Sequence, residues 1–440
     1  MNKKAIAGML AFLMMFGSTS VFAVSAENAA YEDDLVSEDI YADADNYPDA
    51  VNYPDAENAV TDFEWEVIDD NRIMVTGYKG SKQTVVIPSK ALSRTVVAVG
   101  SKAFSKKEVT SVTVPDTVSS IGASAFSDCK KLKKLVLPDS VKTTDRWICS
   151  GCSALTSVTL PAGMEKIDGY FFSNCTSLKE ITIPSNVTVI GGNAFDGCTA
   201  LKKVTFNGKL KEIKSGAFNN CKVLAAVELP EGLTTIETAA FYGCIALKTL
   251  VLPNSLTSFS QASSGLTGGA FEKCKALKSV TLPKNLKVIG SNAFCNCTSL
   301  NQVVIQGEGL QEIKSSAFAN CPALKEITLP RSLTEIGDCG LFYKGKSVKS
   351  GFILHCYRNS KAEAYAISCG VLNIDYLPDI KGDLNFDSKV DISDVSKLAA
   401  HIKGIKKLDS GVNADLNGDG AVTVTDLSLL SAHVKGIKKL

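Results

Sequence analysis

Between residues 104 and 342 the apolar positions return with a period close to 23 residues. Each period holds an extended run of the form L-x-x-V-x-L-P, as in LKKLVLP, LTSVTLP, LKEITIP, LAAVELP and LKEITLP. Apolar and polar residues alternate in it, which predicts a short strand with one buried face. The proline ends the strand because it brings no N–H to a ladder, and a glycine-bearing turn follows, as in VIGGNAF. That turn leads into A-F-x-x-C, whose phenylalanines are Phe126, Phe172, Phe195, Phe218, Phe241, Phe271, Phe294 and Phe318. Cys149 fills the one missing place, so the steps are 23, 23, 23, 23, 23, 30, 23 and 24, with Phe104 and Phe342 flanking the array. One unit of this length cannot bury its own apolar side. About eleven stacked units can, with Leu, Ile, Val, Phe and Ala forming a continuous core along one axis.

The two ends of the array depart from the pattern. VIDDNRIMVTGYKGSKQTVVIPSKA reads as an atypical opening strand pair, and FILHCYRNSKAEAYAISCGVLNIDYL as strand, helix, strand. Ser360 and Glu363 are spaced as a capping box and Gly370 ends the helix. Terminal units with a polar outer side keep a solenoid monomeric, and a monomer is expected here. The 14 cysteines follow the period rather than a disulfide framework. Nine of them, Cys129, Cys152, Cys175, Cys198, Cys221, Cys244, Cys274, Cys297 and Cys321, take one place per unit. Stacked neighbours would lie about 5 Å apart and point the same way, which is poor disulfide geometry. They read as small buried hydrophobes. Cys149, Cys295, Cys339, Cys356 and Cys369 fall off this ladder. Cys149 with Cys152 spells C-x-x-C, but so regular a ladder argues against a redox or zinc role.

The recurring string I-G-x-x-A-F-x-x-C-x-x-L-x-x-V-x-L-P resembles the bacterial surface-antigen (BspA-like) class of leucine-rich repeats, over residues 63–378. The resemblance implies a leucine-rich-repeat solenoid of short strands with loops or short helices.

A different pattern closes the sequence: one loop motif written twice, 32 residues apart. Its first copy places Asp383, Asn385, Asp387, Asp391 and Asp394 at positions 1, 3, 5, 9 and 12, and its second places Asp415, Asn417, Asp419, Thr423 and Asp426 there. Oxygen side chains in that order, with a carbonyl at position 7 from Lys389 or Ala421, suit a hard cation that takes six to eight oxygen ligands. Each loop runs into an amphipathic stretch, ISDVSKLAAHIKGIKKL or VTDLSLLSAHVKGIKKL, identical at 11 of 17 positions. Position 12 is Asp rather than Glu, and Pro378 leaves no room for a long helix ahead of the first loop. These features resemble a type I dockerin, a small all-α calcium-binding domain, over residues 379–440. Ser388 departs from the glycine usual at position 6, which predicts weaker binding in the first loop. The resemblance implies two Ca²⁺ ions, folding coupled to their binding, and docking onto the cohesin module of a scaffoldin. Its partner contacts would come from Ile392, Ser393, His401 and Lys403 in one copy and from Val424, Thr425, His433 and Lys435 in the other. Copies so alike predict docking in either of two orientations.

The beginning of the chain is consistent with export. Lys3 and Lys4, the apolar run AIAGMLAFLMMFG and small residues ending VFAVSA read as a signal peptide over residues 1–26, too short in its apolar part for a membrane span. Residues 27–62 hold 12 acidic residues and no Lys or Arg, predicting a disordered acidic linker. Over the whole chain 47 Lys and Arg meet 46 Asp and Glu, which gives no support for nucleic acid as a partner. No histidine precedes His355, so the repeats lack imidazole for a triad, general base or zinc site, and no enzyme is expected.

On the strand face the solvent positions are Thr113, Thr159, Thr182, Thr205, Glu228, Thr281 and Thr328, beside Lys134, Glu180, Lys203, Gln302 and Glu326. None is a flat aromatic on which a sugar ring would stack. An insertion within SFSQASSGLTGG interrupts one unit and is a candidate contact loop. The expectation is a secreted, extracellular, non-catalytic component of a cellulosome-type complex. Its array would bind an unidentified protein in interaction or adhesion. Alternatively the array binds plant cell-wall polysaccharide to assist neighbouring enzymes, or is an unrecognised polysaccharide hydrolase.

Overall fold

The computed structural model describes residues 60–261, 268–338, 341, 351–377, 380–385, 389–408 and 414–440. The expected signal peptide, the acidic segment up to residue 59, residues 262–267 of the candidate contact loop, Cys339, Phe342, Asp387 and Ser388 lie outside the described residues.

The repeats form a β-solenoid of about 12 turns with a period of about 23 residues. The L-x-x-V-x-L-P runs stack as parallel strands stepped by one period. Glu180–Ile183 pairs with Lys203–Phe206, and Ala226–Glu228, Thr249–Val251, Ser279–Leu282 and Gln302–Ile305 follow as a four-stranded sheet. Alternation does what the sequence predicts: Ile181, Val204, Val227, Leu250, Val280, Val303 and Ile327 point inward and are buried. Thr159, Thr182, Glu228 and Thr328 are exposed, and Thr113, Thr205 and Thr281 half-exposed.

A second strand row was not anticipated. Two- to four-residue strands just ahead of the glycine turns, among them Val189–Ile190, Glu212–Ile213 and Thr235–Glu237, form an eight-stranded parallel sheet. Ile167, Ile190, Ile213, Ile236, Phe259, Ile289, Ile313 and Ile336 lie in register along it and are buried. Two residues are too few to display an alternation.

The A-F-x-x-C segment makes the third side of each turn, and its backbone also forms a ladder. The amides of Phe172, Phe195 and Phe218 each donate at 2.7 Å to the carbonyl of Ala194, Ala217 and Ala240 in the next turn. The phenylalanines stack in consequence: the Phe195, Phe218 and Phe241 centroids are 5.1 Å apart in sequence, with planes within 12°. Where Cys149 replaces phenylalanine, the neighbouring alanine column is enlarged to Ile148 and Phe171, and all three residues are fully buried. The ring stack is interrupted there while the volume is restored from the side.

Each cysteine of the ladder donates its S–H to a main-chain carbonyl one turn back. Cys198 reaches the Phe172 carbonyl at 3.1 Å, and Cys221 and Cys244 the Phe195 and Phe218 carbonyls at 3.3 Å. The residue is therefore more than a small hydrophobe, because its thiol supplies a second, weak donor to a buried carbonyl that already accepts the amide three residues on. The described cysteines are free thiols, the C-x-x-C pair included. Burial pushes the Cys198 and Cys244 thiols up to about 12.

Turning so sharply puts two residues per turn into the left-handed region. One is the residue before the ladder cysteine: Asp128, Gly151, Asn174, Gly197, Asn220, Gly243, Lys273, Asn296 and Asn320 have φ between 56° and 77°, Lys273 being the one that is not Gly, Asn or Asp. Gly, Asn and Asp are the residues that pay least for that conformation. The other lies two before the phenylalanine and holds Ser124, Trp147, Tyr170, Asn193, Gly216 and Asn292, among others.

The closing cap takes its expected strand–helix–strand form, whereas the opening strand pair starts earlier than the 67–91 run predicts, the strands within that run pairing with other neighbours. At the start, β1 (Phe63–Val67) and β2 (Arg72–Tyr78) make an antiparallel hairpin, and Phe63, Tyr78 and Phe104 cluster to begin the ring stack. The Asp69 carboxylate closes the hairpin turn, accepting from the Arg72 side chain at 2.7 Å and from two amides. At the far end Ile353–Cys356, α1 (Lys361–Cys369) and Asn373–Tyr376 give strand, helix, strand. Ser360 accepts from the Glu363 amide, whereas the Glu363 carboxylate reaches the amide of Asn359. Gly370 ends the helix at φ 71°. Among the described residues no helix is long and apolar enough to cross a membrane.

Candidate calcium and docking site

The C-terminal residues have a core of their own: Leu384, Leu398, Ala414, Leu416 and Leu430, flanked by Val390, Val395, Ile402, Leu408, Leu427 and Leu440. Around it pack α2 (Ile392–Ile402) and α3 (Val424–Val434). Equivalent positions of the two copies do equivalent work. Leu384 and Leu416, at loop position 2, anchor the loops in the core, and Leu398 and Leu430 anchor the helices.

The second loop is described in full. Asp415 gathers it: one carboxylate oxygen accepts from the amides of Gly418 at 2.7 Å and Asp419 at 3.1 Å, the other from Gly420 at 2.8 Å. Asn417 donates to Asp419 at 2.7 Å, and Asp419 accepts from the Ala421 amide at 2.9 Å. Gly420, at position 6, has φ 88°, the conformation for which glycine is favoured. Thr423 caps α3, accepting from the Thr425 amide. Asp426 at position 12 is fully buried, and its two oxygens accept from the amides of Leu416 (2.7 Å), Asn417 (3.2 Å) and Thr423 (2.8 Å). Burial works to raise this carboxyl, but the three amides outweigh it and hold it below the usual value.

The first loop repeats the scheme. Asp394 is fully buried and accepts from Leu384 (2.8 Å), Asn385 (3.0 Å) and Asp391 (2.9 Å). Asp391 caps α2 and accepts from both the Ser393 hydroxyl at 2.6 Å and the Ser393 amide at 2.8 Å, which lowers its pKa. A shorter Asp at position 12 thus ties the loop's beginning to the helix that leaves it. Each such carboxylate retains lone pairs beyond those its amides use.

The donor set fits a hard divalent cation. Asp415, Asn417, Asp419, the Ala421 carbonyl, Thr423 and Asp426 are all oxygen donors within one twelve-residue loop, three of them carboxylates. Asp383, Asn385, Lys389, Asp391 and Asp394 give the matching first-loop positions, Asp383 being largely buried. Among the described residues no group of three or more His, Cys, Asp or Glu side chains converges as a metal site, the loop carboxylates included; these accept from backbone amides instead.

The expected partner residues divide into two groups. Ile392 and Val424 are 68% and 62% exposed, and Ser393, Thr425, Lys403 and Lys435 are exposed beside them. His401 and His433 are half-buried, and their Nδ1 atoms accept from the amides of Leu408 and Leu440, folding the chain back after each helix. Two apolar residues escaped the sequence reading: Ile405 and Ile437, 75% and 74% exposed, just beyond Gly404 and Gly436. Their identical place in both copies was the available signal.

In the repeats, His355 lies 2.8 Å from Asp375 and 3.7 Å from Glu326. Both carboxylates are mainly exposed, so this is a surface contact of small energetic weight.

Comparison with known proteins bears on both halves. A family model described as BspA type leucine rich repeat region matches residues 97–224, 189–264, 211–349 and 264–376. One described as dockerin type I domain matches residues 381–435. Among solved structures the chain is similar to a leucine rich cell surface protein of Faecalibacterium prausnitzii, at 25% identity over 74% of this chain and 96% of that one, TM-score 0.47. It is also similar to a leucine-rich repeat protein of Bacteroides ovatus, at 24% identity over 72% and 98%, TM-score 0.46. A third, from Eubacterium ventriosum, is 19% identical over 67% and 96%, TM-score 0.39. No curated protein matches the chain.

Proposed function

Because the chain belongs to the BspA-type leucine-rich repeat family and carries a type I dockerin after its repeats, we propose that it is a non-catalytic, secreted cargo of a cellulosome-type complex. The observation that carries this reading is the doubled loop–helix unit, with its oxygen donors and its exposed Ile392/Ser393 and Val424/Thr425 pairs. Two calcium ions bind, one per loop. They are held by Asp383, Asn385, Asp387, the Lys389 carbonyl, Asp391 and Asp394, and by Asp415, Asn417, Asp419, the Ala421 carbonyl, Thr423 and Asp426. The ions neutralise carboxylates crowded into each loop and hold α2 and α3 ready for a cohesin. Ile392, Ser393 and Lys403, or Val424, Thr425 and Lys435, face that partner, while His401 and His433 support the surface from behind. The monomeric repeat array is then presented outside the cell as an interaction module.

Retention of the secreted protein on immobilised cohesins, with calcium and then with chelator, tests the proposal beside a truncation ending at residue 378. Calcium-dependent retention that the truncation loses is expected. Retention by the truncation, or none by the full chain on a cohesin panel, would sink it. The polysaccharide reading of the array is favoured by one observation, developed next.

A further inference from the structure

Trp147 and Tyr170 are the two aromatic side chains that stand exposed among the described residues, at 40% and 36%, and they stand together. They occupy the left-handed position two before the phenylalanine site in consecutive turns, both with φ 60°. Their rings stack with centroids 5.4 Å apart and planes 20° from parallel. Neighbouring turns place Ser124 and Asn193 at this position, and Gly216 stands beyond. Large rings meet more steric resistance in the left-handed region than Asn or Gly, and here over a third of each ring residue's surface stays open to solvent.

The row is a ladder: Lys102 donates to the Ala123 carbonyl, Ser124 to Arg146, Trp147 to Gly169 and Tyr170 to Gly192. One face of the indole is taken by Tyr170. On the side of Trp147 away from Tyr170, the next rung of the ladder is the small Ser124, and Lys102 stands one rung beyond. Two rungs separate Lys102 from Trp147, about 10 Å, which leaves room for one flat ring against the indole. The surroundings are polar or bare: Asp145 and Arg146 are exposed, and Gly169 and Gly192 flank the pair. Neither Lys102 nor Arg146 has an ion-pair partner among the described residues. A protein hot spot sits inside an apolar rim that excludes water, and this pair has none. A pyranose fits better, because its C–H face lies on the electron-rich ring while its hydroxyls need polar neighbours at the edge.

Charge narrows the sugar. The near balance of the whole chain conceals a division, since residues 63–378 hold 36 Lys and Arg against 25 Asp and Glu. Lys102 also lines an open cleft of about 430 Å³ with Lys79, Lys106 and Lys107, four ammonium groups against the one carboxylate of Glu64, which extends the cationic row past the slot.

Resting on the reading of the array as a binding module, we infer that Trp147 and Tyr170 form a stacking site for a pyranose ring of an acidic polysaccharide. The ring extends the stack over Ser124, and its carboxylate faces Lys102.

Intrinsic emission supplies the test on the full secreted chain with calcium. Of the two tryptophans, Trp65 packs against the core and donates to the Val60 carbonyl, so a ligand-dependent change reports Trp147. A galacturonate hexamer should give a saturable change and bind at least five-fold more tightly than cellohexaose. Tyr170→Ala should weaken it about ten-fold, and Trp147→Ala should abolish retardation in a polygalacturonate gel while the melting temperature is unchanged. No saturable binding to either hexamer, binding undiminished in Trp147→Ala, or preference for cellohexaose would overturn the inference. So would self-association that Trp147→Ala abolishes without any sugar binding. Cohesin retention of Trp147→Ala, measured in parallel, keeps a failure here distinct from a failure of the docking proposal.

Discussion

Replacing Phe218 by cysteine tests how the array tolerates a missing ring. Phe218 is fully buried and stacked at 5.1 Å on both Phe195 and Phe241. Those neighbours are pinned by 2.7 Å backbone bonds, so they cannot close over the gap. Loss of a buried aromatic from a site that cannot collapse costs about 3 kcal/mol or more. The protein already contains such a site at Cys149, with Ile148 and Phe171 where other turns have alanine. Phe218→Cys combined with Ala217→Ile and Ala240→Phe copies that arrangement, and should recover about half of the loss, on the order of 1.5 kcal/mol. Because coupling in a solenoid passes between neighbouring turns, the assay is amide hydrogen exchange across residues 195–241, alongside urea unfolding in calcium. Phe218→Cys should lower protection locally and broaden or split the transition, and the triple variant should sharpen it again. A triple variant as unstable as Phe218→Cys would refute the volume-exchange argument.

Asn220→Gly should be tolerated within about 0.5 kcal/mol while Asn220→Val costs about 1–2 kcal/mol, since a β-branched residue resists φ 57°; chemical denaturation ranks them. Iodoacetamide should label Cys295 and Cys369 well before the buried ladder thiols, read by peptide mass mapping of the native protein. The folded thiols at Cys198 and Cys244 sit near 12, against an ordinary value of 9.0. Their contribution is therefore complete below pH 9 and lost as pH rises toward 12, so urea midpoints should fall between pH 9 and 11. Asp426→Ala strands the amides of Leu416, Asn417 and Thr423, which should cost about 2–3 kcal/mol and weaken calcium binding in that loop, followed by calorimetry.

Long-range order in this fold was legible because it is written as repetition. The strand runs, the phenylalanine step and the duplicated loops each recur often enough that chance is a poor explanation. What escaped was information held at single positions. The Val189–Ile190 type of strand is too short for periodicity, and the Asn or Gly before most of the ladder cysteines looks like ordinary loop composition until φ is known. Trp147 and Tyr170 are 23 residues apart in sequence, and only the stacking of turns makes them neighbours. Their common offset from the phenylalanine site was nevertheless present in the string. In the C-terminal domain, the position-12 aspartates were read as metal ligands alone. Their three amide partners also make them the link between loop and helix.

The step of 30 residues between Phe241 and Phe271 leaves the ladders intact. These rings stack at 5.4 Å, Cys274 still reaches the Phe241 carbonyl, and Ile236, Phe259 and Ile289 remain in register. Chain length and architecture are therefore decoupled at this corner. New sequence can accumulate there through small duplications, or be grafted by design, and meet selection for what it recognises before it meets any selection for how it folds.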